Sequence, residues 1–210
     1  DGSIRSDWGI VRIALDGSAV LTLESSAQHS PLGIGLAGSP FPEQVSIARD
    51  GTILTRVQIL GSSERLLIVA APGRELLAIR TGDEIDGYTV DVRGGNHGNG
   101  IAPPNGKFFA DVRALAPGDD PNSAGRSALI GASATGQVSL PVVGGLTNVN
   151  YPGGEVLPLQ HFATPFGSVI KRHVASDSGQ MPLLGLVQRE GMDAEWAVLV
   201  LDTAAPALSP

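Results

Sequence analysis

Three carboxylates crowd one short stretch, Thr81-Gly82-Asp83-Glu84-Ile85-Asp86-Gly87. Asp83, Glu84 and Asp86 are hard oxygen donors, and carboxylates interleaved with glycine in a turn could hold Ca²⁺. Ca²⁺ is the one cofactor the residues suggest. The stretch departs from a full calcium loop, and solvated turn residues are the ordinary role of such side chains. A second acidic loop, with Asp119, Asp120 and Asn122, carries the same two readings. Asn96, His97 and Asn99 fall in the glycine-rich loop Gly94-Gly95-Asn96-His97-Gly98-Asn99-Gly100. Such a loop could present them to a carbohydrate or another small ligand, although glycine loops more often only turn the chain.

Other chemistry finds less support. The four histidines, His29, His97, His161 and His173, lack the spacing of a helical metal pair. Cysteine is absent, so no disulfide and no thiolate zinc site can form. Gly33-Ile34-Gly35-Leu36-Ala37-Gly38 matches a dinucleotide fingerprint, which needs a helix to start there. Pro40 and Pro42 follow and deny that helix, so a glycine-rich β turn is the better reading. No Gly-x-Ser-x-Gly elbow occurs, and nothing selects a Ser–His–Asp triad or a carboxylate pair. No catalytic residue is assigned.

The elements that must position these groups are strands. Hydrophobic residues make up 42% of the 210 residues but aromatics only 4%, so branched aliphatics must fill the core. With 28 Gly and 15 Pro, the chain reads as many short strands joined by tight turns. Val11–Leu15 and Ala19–Leu23 flank Asp16-Gly17; Val45–Arg49 and Ile53–Val57 flank Asp50-Gly51. Asp-Gly between alternating runs predicts a hairpin with a type I′ turn, both central residues at positive φ. Arg65–Ala71 is a continuous apolar run, the pattern of a strand buried on both faces. Phe108–Leu115 fits a short helix, with Phe108, Val112 and Leu115 on one face, or equally a strand.

The hairpins recur. Ala128–Val138 turns at Gly136, and Ile170–Gln188 turns at Ser178-Gly179-Gln180. Four strands in about 43 residues is the size of one propeller blade. The residues 1–210 therefore read as one β domain with units near 8–42, 43–87, 88–125, 126–165 and 166–204. The expected fold is all-β: a propeller-like array of short antiparallel hairpin units, with a β-sandwich as the alternative. Trp196 lies in a strand pattern and is expected in the core. The first and last strands, near Trp8 and Trp196, are expected to pair and close the array, which would leave no exposed edge.

Three segments carry a resemblance: Gly136-Gln137-Val138, Gly179-Gln180-Met181, and the stretch from Gly73 to Gly82-Asp83. Their Gly-Gln-hydrophobic hairpins and Gly-Asp closing turns resemble those of secreted bacterial β-repeat, propeller-like proteins. The resemblance implies an extracytoplasmic or secreted propeller-like array. It carries over no activity.

Charge excludes some partners. The net charge is −7 with pI ≈ 5.0, and the longest basic run is Lys171-Arg172-His173. Neutralising nucleic-acid phosphates or docking on anionic lipid is therefore not expected. No apolar run reaches the length of a membrane-spanning helix, so membrane insertion is not expected. The first functional expectation is a non-catalytic extracytoplasmic structural or adhesive module that self-associates or joins a larger surface assembly. The alternatives are a carbohydrate or small-ligand binding module, a hydrolase with an illegible site, and a virion or tail-fibre component.

Overall fold

The computed structural model describes residues 9–25, 32–37, 45–47, 51–71, 77–92, 107–120, 123–133, 135–150, 154–163 and 180–202. Among them every regular element is a strand, and every strand pair is antiparallel.

β1 (Gly9–Ile13) and β2 (Ala19–Glu24) form a hairpin of their own. β3 (Leu36–Ala37), β4 (Val45–Ile47), β5 (Ile53–Ile59), β6 (Arg65–Ala70) and β7 (Leu77–Arg80) form a sheet of order β3-β5-β6-β7, with β4 beside β3 on β5. β8 (Glu84–Ile85), β9 (Tyr88–Asp91), β10 (Lys107–Leu115), β11 (Arg126–Ser133) and β12 (Val138–Val143) form a middle sheet of order β12-β11-β10-β9-β8. β13 (Asn148–Asn150), β14 (Val156–Ala163), β15 (Gln180–Val187) and β16 (Glu195–Asp202) follow in sequence order in the last sheet. The middle sheet takes strands from three of the sequence units.

The turn at Asp16-Gly17 differs from the expected type for a local reason, and Asp50 lies outside the described residues. At Asp16-Gly17 the Gly17 amide donates to the Ala14 carbonyl (3.0 Å) and the Ala14 amide to the Ser18 carbonyl (2.9 Å). Only Gly17 needs positive φ, 83°, as in a type I turn closed by a left-handed glycine. Asp16 stays out of that region. Its carboxylate accepts from the Ser18 hydroxyl (2.7 Å) and amide (2.9 Å), which holds its pKa below the usual value. Ser133 to Gln137 repeats the same pair of bonds around Gly136. The true type I′ turn lies elsewhere, at Asp86 (φ 51°) and Gly87 (φ 77°), between β8 and β9.

The continuous apolar run became a central strand. β6 sits between β5 and β7, and five of its six residues are buried. Leu54, Leu67, Val69 and Ile79 leave one face of this sheet for a core shared with Val90, Phe108, Ala110, Val112, Ile130 and Leu140 of the middle sheet. Ile53, Val57, Leu66 and Ile68 leave the other face for a second core, which Leu23 and Leu36 complete. Phe109, Leu129 and Val142 point oppositely from the middle sheet and meet Leu157, Leu159, Met181 and Leu183 of the last sheet. Three sheets are thus layered through three apolar clusters. Residues 107–115 form a strand, because β9 and β11 flank them and supply the ladder that a helix would have to replace.

One buried hydroxyl makes a stability prediction. Thr55 Oγ1 is buried on β5 and lacks a hydrogen-bond partner among the described residues. Thr55→Val removes an unpaid desolvation cost and is expected to raise the unfolding free energy by about 1 kcal/mol. Urea denaturation measures this; a lower midpoint would contradict it.

Candidate functional site

The acidic stretch folds into the β8–β9 turn region, and its carboxylates take separate tasks. Asp83 Oδ2 accepts from the Arg80 amide at 2.8 Å, closing its own turn. Asp86 Oδ2 accepts from the Leu140 amide on β12 at 2.6 Å. That bond ties β8 to β12, the two ends of the middle sheet, so the sheet curls into a half-barrel around its core. Glu84 is exposed on β8. Among the described residues no three His, Asp or Glu side chains converge as a metal site. Asp119 Oδ2 likewise accepts a backbone amide, that of Ala116, at 2.8 Å. Asn96, His97 and Asn99 lie outside the described residues, as do His29, His173 and Trp8. After Gly33 (φ 64°) the glycine-rich stretch continues into β3, an extended strand and not a helix.

A buried charge network joins the first two sheets. Arg56 on β5 is 7% exposed, and its Nη2 donates to the Asp111 carbonyl on β10 at 2.8 Å. Burial pulls its pKa down, opposed by the Asp111 carboxylate and, more weakly, by Asp91; Arg65 adds to the lowering. Asp91, also buried, faces Arg113 across the β9–β10 ladder, with Arg113 Nη1 at 3.6 Å from its Oδ2. Thr81 Oγ1 donates to Asp91 at 3.2 Å. Arg113 also holds the chain between β10 and β11, donating to the Ala124 carbonyl (2.7 Å) and to the Ser123 carbonyl. These charges are spent on sheet-to-sheet and loop contacts.

The last sheet is different. An open cleft of about 480 Å³ lies at one end, lined by Glu155, Leu157, Gln160, Gln188, Arg189 and Glu190 among others. Arg189 spans it, contacting the Glu155 carboxylate (3.1 Å) and Glu195, and these two bonds raise its pKa. Among the described residues β16 forms the edge of this sheet. Strand alternation turns Ala197, Leu199 and Leu201 inward onto the core and Trp196, Val198 and Val200 outward. Trp196 is therefore not a core residue: it is 54% exposed, Val198 77% and Val200 64%. Leu184 and Leu186 on β15 lie opposite Val198 and Trp196 and widen the same face. Among the described residues β1 pairs with β2 and β16 with β15, so the expected pairing of first and last strands is not made.

An all-β chain with an apolar outer face on its last edge strand is the class that fold and site define. No protein-family model matches the chain, and no curated protein or solved structure matches it.

Proposed function

We propose that the chain is a non-catalytic structural module that assembles through the outer face of β15–β16. One observation carries this reading: Trp196, Val198 and Val200 stand outward, each more than half exposed, on the edge strand of the last sheet. A contiguous exposed apolar patch costs free energy in water and marks an interaction surface. Among the described residues β16 is also the edge of its sheet, where a further strand could be added. The extracytoplasmic setting and the surface assembly are part of the same proposal and are supported by the composition and turn pattern of the sequence. The small-ligand reading has one geometric support, the cleft beside Arg189 with Gln160 and Gln188 on its wall.

Light scattering on the purified chain tests the assembly reading. The wild type is expected to exceed 21.5 kDa and to grow with concentration. Val198→Lys places a charge at the centre of the patch and is expected to weaken association by at least about 100-fold. A wild type that stays at 21.5 kDa at every concentration would overturn the proposal.

A further inference from the structure

We infer that the occupant of the outer β15–β16 face is the β1–β2 hairpin of a second copy of this chain, so that copies join head to tail. This rests on the reading of β15–β16 as an assembly surface. Among the described residues the hairpin is anchored at its open end, where Ile10 and Leu23 stand opposite each other and pack on the core of Leu36, Val57, Leu66 and Ile68. A register shift between Ile10 and Val11 follows, and the arm beyond it exposes apolar side chains. Val11 lies opposite Leu21 and Ile13 opposite Ala19, so Val11, Ile13 and Leu21 share one side. Ile13 is 71% exposed, and Leu15 at the turn is fully exposed. The chain thus presents two apolar surfaces, one on its first hairpin and one on its last.

Charge favours joining these two over pairing like with like. Ile13 and Leu15 on one surface and Val198 and Val200 on the other are each more than half exposed. Two copies of β16 laid antiparallel would bring Glu195 of one toward Asp202 of the other, both exposed and both negative. Within Gly9–Glu24 the acids are Asp16, at the turn, and Glu24, at the open end. A patch that meets a different patch on the next copy gives a heterologous contact, which extends into a chain or closes as a ring.

Complementation tests the pairing. Ile13→Lys spoils the arm and leaves the face; Val198→Lys spoils the face and leaves the arm. Both positions are exposed, so both variants are expected to keep the wild-type circular dichroism and melting curve. Each alone is expected to be a monomer of 21.5 kDa, and an equimolar mixture to give a species of twice that mass and no larger. If Ile13→Lys alone assembles like the wild type, the arm is not the occupant, while assembly through β15–β16 stands. Two monomeric variants that do not combine on mixing also overturn the pairing. A monomeric wild type overturns the pairing and the assembly reading together.

Discussion

Phe108→Ala is expected to lower the unfolding free energy by about 4 kcal/mol. Among the described residues Phe108 is the largest fully buried side chain, 1% exposed, and the buried residues clustered with it are aliphatic, with Tyr88 packed at their margin. Its ring fills the core between the first sheet and the concave face of the middle sheet, among Leu54, Leu67, Val90 and Ile130. The aliphatic neighbours are held in their ladders on two sheets, so they close the space only in part. The loss therefore includes the cavity as well as the transfer free energy. Urea denaturation reads it directly, and a loss below about 2 kcal/mol would mean that the half-barrel collapses onto the gap.

Arg56→Met is expected to cost about 3 kcal/mol, although methionine nearly matches the length of the aliphatic stem. The Asp111 carbonyl loses the donor that reaches it from β5. The buried Asp91 carboxylate and that of Asp111 lose a cation that opposes their charge. Removing one member of a buried charged set leaves the others uncompensated, which is why the cost exceeds that of a surface pair. The same urea measurement checks it; a change under about 0.5 kcal/mol would place Arg56 among the neutral surface charges.

The strands were legible because their signals are local. Asp16-Gly17 and Gly136 punctuate alternating runs, and β1–β2 and β11–β12 form there. The exact turn type was not legible, since Asp16 could either adopt positive φ or use its carboxylate on Ser18, and the second won. Burial on both faces was legible for Leu66–Ala71. The same signal misled at Trp196–Leu201, which is equally continuous and apolar. Among the described residues β6 lies between two strands and two apolar clusters, whereas β16 lies at an edge over one cluster. Sheet order decides that difference, and sheet order depends on contacts far apart in sequence. The Arg56–Asp111 bond, 55 residues apart, was hidden for the same reason. The bond from the Leu140 amide to Asp86, 54 residues apart, was hidden likewise.

The candidate surface is therefore a by-product of that misleading run: half of its apolar residues serve the core, and the other half face outward. Trp196 reports on the outward half. The chain has two tryptophans, so Trp8→Phe leaves Trp196 as the single indole. Acrylamide quenching of Trp196 in that variant, at low and at high protein concentration, is the most direct measurement. Assembly through β15–β16 predicts that emission shifts to the blue and quenching falls as concentration rises. Identical spectra and identical quenching at both concentrations would contradict it.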